Sequence, residues 1–253
     1  MTPSPQLVEL VARWAPLWAG EAEVIRAYLD DPARTPARDR RWIVHQAYKE
    51  YWDGYAAVLA RLHAQVGSPD VEAAEELAEV LAEELAHYRA FVALHEALGP
   101  DPAGPLTPER ARREGPWPEN DALRALRAAH RQAHGPLGAR AQWLSEGGYV
   151  ALYREGARLA GRGGFDEAVA HACTAVLEDE IDHMLEGLRG LEEAGLSPDD
   201  WQTLGRIVHE QLAQRIRMRH AQFDAPVGPE RLEALCRGEA DPMPFDWVRA
   251  GRA

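Results

Sequence analysis

Apolar residues recur along most of this chain at offsets of three and four, the period of a helix packed on one face. The leading segment carries Leu7, Leu10, Val11, Trp14, Leu17 and Trp18 and continues to Ile25, Tyr28 and Leu29. Pro16 is expected to kink or divide it, and Asp30-Asp31-Pro32 to end it. From Thr35-Pro36 to about Val66, a second stripe reads Ile43, Ala47, Glu50, Gly54 and Ala57. A rival face of Tyr48, Tyr55 and Leu59 would leave Glu50 at a boundary. Asp70 is a good N-cap for a helix reaching Leu98, with Leu77, Leu81, Glu84, Tyr88, Phe91 and Leu94 inward and His87 beside Glu84. His95 reads as a satisfied or exposed histidine.

From Gly99 to Asn120 the chain is rich in Pro and Gly and shows no helical pattern. A connection of that length points to a crossover between the ends of a bundle. A third helix begins at Asn120-Asp121 and should kink at Gly135-Pro136, with His130 and His134 as surface or packing residues. Beyond the kink, Trp143, Glu146, Tyr149, Tyr153 and Ala157 share a stripe ending at Gly161. Gly147-Gly148 costs helix stability there, which a tight approach or a local distortion would explain. The fourth helix, from near Asp166 to Gly195, turns Ala168, Ala172, Val176, Glu180, His183 and Gly187 inward and His171 away. Ser197-Pro198-Asp199-Asp200 starts a fifth helix, which runs to about Phe223. A short helix follows, Pro229 to Cys236, and then an aromatic end, Phe245 and Trp247. Such a tail packs on its own bundle or on a partner subunit, as in a homodimer.

The expected architecture is all-α: an accessory helix over residues 1–34, a four-helix bundle with a long crossover over 35–196, and a C-terminal helix and tail over 197–253. Ala, Glu, Leu and Arg dominate the composition, which favours helix over sheet. The net charge of −13 argues against a broad nucleic-acid surface, and the basic run Arg215 to His220 reads as a solvated helix face. There is no apolar run long enough to span a membrane, and Met1 to Pro5 lacks the features of a signal peptide. Cys173 and Cys236 make no disulfide framework, so a reducing cytoplasm is expected.

Two segments carry the candidate chemistry. Glu84-x-x-His87 and Glu180-x-x-His183 each set a carboxylate and an imidazole one helical turn apart, where both can ligate one metal ion. Glu50 precedes Glu84 by 84 − 50 = 34 residues, and Glu146 precedes Glu180 by 180 − 146 = 34. The midpoints, Gly67 and Gly163, fall in the two clearest breaker clusters, Gly67-Ser68-Pro69-Asp70 and Gly161-Arg162-Gly163-Gly164. If each half is an antiparallel hairpin bent there, each lone Glu returns level with its Glu-x-x-His partner. The acids just before the motifs, Glu83 and Asp179, point towards a neighbouring helix. They are expected to pair crosswise with the metal-binding imidazoles, Asp179 with His87 and Glu83 with His183.

Over residues 38–195 this arrangement resembles the ferritin-like di-iron carboxylate superfamily, which includes ferritins, rubrerythrins, manganese catalases and the ribonucleotide reductase small subunit. The resemblance rests on Glu50, Glu84-x-x-His87, Glu146 and Glu180-x-x-His183. It implies a ferritin-like bundle in which Glu84 and Glu180 bridge two metals, Glu50 and His87 complete one site, and Glu146 and His183 the other. The flanking helices are unlike those of a cage-forming ferritin. The mixed oxygen and nitrogen ligands suit two Fe ions, with Mn as the alternative. The activity expected is that of a di-iron oxidase or oxygenase whose small-molecule oxidant is O2 or peroxide. Tyr149, one turn from Glu146, would hydrogen-bond a ligand, be oxidised, or simply pack. Manganese-catalase-like peroxide disproportionation and a non-turning-over metal-binding scaffold are the other two readings.

Overall fold

In the computed structural model, residues 3–68, 70–146 and 150–250 are described, apart from the side chains of Trp143 and Glu146. These residues form helices and the turns between them, with no strand. In chain order the elements are α1 (Pro5–Leu29), α2 (Pro36–Tyr48), a π-helical segment (Lys49–Tyr55), α3 (Ala56–Ala64), α4 (Val71–Ala97), α5 (Pro108–Glu114), α6 (Pro118–His134), α7 (Pro136–Glu146), α8 (Ala151–Ala157), α9 (Gly164–Glu193), α10 (Pro198–Phe223), α11 (Pro229–Cys236) and α12 (Trp247–Ala250). No helix among the described residues is long and apolar enough to cross a membrane. The chain divides into two compact units, residues 1–34, 118–155 and 177–253 in one and 35–117 and 156–176 in the other. The stretch 35–196 therefore contributes to both.

In the first unit, α1 packs along α10, which also meets α6, α7 and α11. Ser4 caps α1 by accepting from the Leu7 N–H at 3.2 Å. Pro16 does not divide this helix. A mid-helix proline costs about 3 kcal/mol. Trp14, Leu17 and Trp18 lie fully buried on either side of it, and each large apolar side chain returns about 1.5–3 kcal/mol on burial. Packing therefore holds the helix together through the break in its ladder. A capping box between Ser197 and Asp200 starts α10, as expected, and Asp224, in the left-handed region at φ 48°, ends it.

The run Arg215 to His220 is not a solvated face. Arg215 and Arg219 are almost fully buried, and their four-residue spacing aims both at Glu21 of α1. The aromatic end packs on its own chain: the Phe245 ring lies 6.0 Å from Trp18, and the Met243 N–H donates to the Ala15 carbonyl at 3.1 Å.

In the second unit, α4 lies against α2, the π segment and α3. The chain reverses at Gly67, whose φ of +87° a side chain would resist. Trp42 meets Phe91 edge-on at 6.2 Å, and Tyr51 meets Tyr88 at 5.0 Å. Asp70 caps α4 as expected. The π segment changes the register of the first arm. Ile43, Ala47 and Glu50 are buried and Gly54 half-buried, but Ala57 is exposed and Val58 takes the inward place. A π turn holds one more residue than an α turn, which moves every later position round by one. The rival face ends on Leu59, which is also exposed.

The long connection contains α5, which its Pro and Gly content hides, and buried polar groups fix its course. Asp101 binds Arg110 at 2.8 Å and His95 at 3.0 Å. The Arg40 guanidinium donates to the carbonyls of Leu98, Gly99 and Pro100. The Tyr88 hydroxyl donates to the Leu106 carbonyl at 3.1 Å. His95 is thus a satisfied core histidine.

The Ala103 N–H and the Arg110 guanidinium hold the Asp101 carboxyl down at about 2, below its ordinary 3.8. Its contribution is complete above the unfolded value and is lost as pH falls through the folded one. Urea unfolding between pH 5 and pH 2 should therefore show a loss of stability below about pH 4 that Asp101→Asn lacks. At neutral pH the same variant should be less stable by about 1–3 kcal/mol.

Candidate metal centre

Glu50 is the second residue of the π segment and is buried. Gln46, one turn earlier and equally enclosed, donates its amide to Glu50 Oε1 at 2.5 Å and so orients the carboxylate. Across the hairpin, α4 presents Glu84, half-buried, and His87, with 1% of its surface exposed. Gly54 is what admits Glu84: a Cβ at position 54 would stand 2.1 Å from Glu84 Oε2. The 34-residue spacing and the bend at Gly67 thus bring one lone Glu and one Glu-x-x-His to the same level in this unit.

On α9, Glu180 and His183 are half-buried, as is Asp179. One donor atom each from Glu50, His87 and Glu180 lies within 4.8 Å of the other two, and among the described residues this is the group able to hold a metal ion. It does not include Glu84 or His183. Glu146 is the last residue of α7, and its side chain lies outside the described residues, as do Tyr149 and the pair Gly147-Gly148. The residue after them, Val150, has φ +53°, a strained value for a β-branched side chain. The last turn of α7 is anchored just before Glu146. There the Ser145 hydroxyl stands 2.6 Å from Gln211 Oε1 and accepts from Arg127 at 3.1 Å. Glu83 is half-buried, and its crosswise pairing with His183, like that of Asp179 with His87, remains an expectation.

The donor set fits a divalent first-row cation. Two carboxylates and an imidazole converge where burial makes uncompensated negative charge expensive, and a cation would offset both the repulsion and the desolvation. Mixed oxygen and nitrogen donors suit iron or manganese.

Sequence reasoning missed three features that shape this region. The π segment leaves no periodic signature beyond the shift from Ala57 to Val58. Gln46 was findable as an amide four residues before a candidate ligand. Glu21 stands as a lone acid on the apolar face of α1, a sign that a buried cation faces it. No family model matches the chain, and no curated protein or solved structure matches it either.

Gly54→Ala gives a direct test of the Glu84 placement. The clash is with the end of a flexible side chain, so the fold should survive while the carboxylate moves away. Unfolding stability should fall by about 1–3 kcal/mol, the cost typical of overpacking. Co(II) uptake at neutral pH should weaken by about tenfold or more. Wild-type uptake in the folded variant would place Glu84 outside the metal centre.

Proposed function

We propose that this chain is a dimetal carboxylate oxidoreductase, a di-iron oxidase or oxygenase that activates O2 or peroxide. The observation that carries this reading is the convergence of the Glu50, His87 and Glu180 donor atoms within 4.8 Å, two of the three residues being buried. Glu84, held in reach by Gly54, and Glu146 and His183 complete the ligand set for two ions. Bound there, iron would supply the one-electron redox steps that carboxylates and imidazoles cannot perform.

The chain's own residues prepare that place. Gln46 keeps the Glu50 carboxylate in one orientation, so little ordering is left to occur on binding. The Tyr51 and Tyr88 rings, 5.0 Å apart, follow Glu50 and His87 directly in sequence and keep that part of the hairpin apolar. Tyr88 stays protonated across the working range, because burial and the neighbouring Tyr51 push its hydroxyl up to about 12.

Protein loaded anaerobically with Fe(II) should consume O2 or peroxide in stopped-flow absorbance measurements. Glu50→Gln and His87→Ala, checked for helicity by circular dichroism, should each lower bound iron and the initial rate by about 10–100-fold. Full iron content in both folded variants would remove these residues from the centre and the proposal with them.

A further inference from the structure

Within the first unit, α6, α7 and α10 enclose a chain of hydrogen bonds that leads from the surface to the last turn of α7. Glu210, its side chain 41% exposed, stands at the outer end. Its Oε1 accepts from Arg206 Nη1 at 3.0 Å, and its Oε2 lies 3.0 Å from His130 Nε2. The other ring nitrogen of His130, Nδ1, is 3.1 Å from Gln211 Nε2. Gln211 Oε1 is in turn 2.6 Å from the Ser145 hydroxyl. His130 is buried, and Gln211 and Ser145 are fully enclosed.

The partners dictate where the protons lie. An ionised carboxylate only accepts, so the neutral imidazole presents Nε2–H to Glu210. Nδ1 is then an acceptor and meets the Gln211 N–H, which leaves Gln211 Oε1 to receive the Ser145 proton. That hydroxyl accepts from Arg127 at 3.1 Å, and it has one proton for two carbonyl oxygens. These are Gln211 Oε1 at 2.6 Å and the Gln142 backbone oxygen at 3.0 Å. A cationic imidazole carries N–H on both nitrogens, and two donors cannot share one contact. Turning the Gln211 amide over, which hardly alters its outline, brings Oε1 to His130 and Nε2 to Ser145. Ser145 then accepts from Gln211 and gives its own proton to Gln142.

We infer that His130 is a proton-operated switch for the last turn of α7, with Gln211 as its lever. Histidine is the side chain whose charge ordinarily changes in the physiological range. A serine hydroxyl bonded back to the preceding turn tends to bend a helix, so protonation would reshape the turn that ends on Glu146. From α10, Glu210 and Arg206 face His130. From α6 itself come His134, its ring 6.3 Å away and its Nε2 3.5 Å from Arg206, and Arg127 on Ser145. Beside α7, Arg131 of α6 bonds to the Gln142 side chain, and Arg140 donates to the Gly190 carbonyl at 2.7 Å.

The test is NMR spectroscopy of the isotope-labelled, metal-free full-length protein between about pH 5 and 8. With no metal present, its outcome is independent of the proposed function. Above the midpoint of its titration, His130 should be the Nε2–H tautomer. As pH falls, the Gln211 side-chain amide and the Gln142 carbonyl carbon should shift with the midpoint of His130, the carbonyl towards a stronger hydrogen bond. In Gln211→Met, which keeps the length of the side chain without its amide, His130 should still titrate while the Gln142 response is lost. In Ser145→Ala the His130 and Gln211 responses should remain and that of Gln142 should vanish. Every charged neighbour is kept in both variants, so a response carried by the field of His130 alone would survive both substitutions. An Nδ1–H tautomer, a His130 that stays neutral throughout, or a Gln142 carbonyl that ignores His130 in wild type overturns the inference. So does a Gln142 response that persists in whichever variant folds.

Discussion

Buried carboxylates must be neutralised, and that constraint organises the interior of this protein. Taking an ionised acid out of water costs several kcal/mol even after relaxation, and two acids facing each other add repulsion. The chain meets this cost in two ways. Glu21 is surrounded by guanidiniums from α10, with every partner supplied by the polypeptide. Glu50 and Glu180 belong instead, with the His87 imidazole, to a group that could hold a metal ion. The same chemistry thus yields a structural ion cluster in one case and a candidate ligand set in the other.

Backbone irregularity lies beside the candidate ligand set. Seven residues of π-helix begin just before Glu50 and contain Gly54, against which the Glu84 carboxylate packs. Such segments give up the optimal hydrogen-bond geometry of an α-helix and occur often at functional sites. Here the irregularity has a visible consequence, since the inward position after Gly54 is Val58. Regular α-helix would have presented Ala57 instead. Val150, next to the α7 terminus that carries Glu146, is held at positive φ in a fully buried position. Both departures from regularity fall beside candidate ligands.

Most of the helices are legible in the sequence, because caps and breakers are local. Asp70, Ser197 and Gly67 act within a few residues of themselves, so the starts of α4 and α10 and the first bend follow from composition alone. The meeting of Glu50 with His87 is legible for the same reason: a mirrored spacing about a bend needs only a constant rise per residue. Three features are not legible, and each depends on a distant partner. Pro16 stays within α1 because tertiary burial of Trp14 and Trp18 outweighs a local penalty. The basic run on α10 turns inward because Glu21, almost two hundred residues earlier, supplies the opposite charge. The helix α5 forms inside a Pro-rich stretch because Asp101 and Arg110 tie that stretch to α4 through His95.

Anomalous X-ray diffraction from crystals of the protein grown with Fe(II) under anaerobic conditions tests the central claim most directly. Iron-edge peaks inside the protein are expected, with carboxylate oxygens of Glu50 and Glu180 and an imidazole nitrogen of His87 as ligands of one of them. An absence of anomalous density at these residues, with the three side chains instead bonded among themselves, would contradict it.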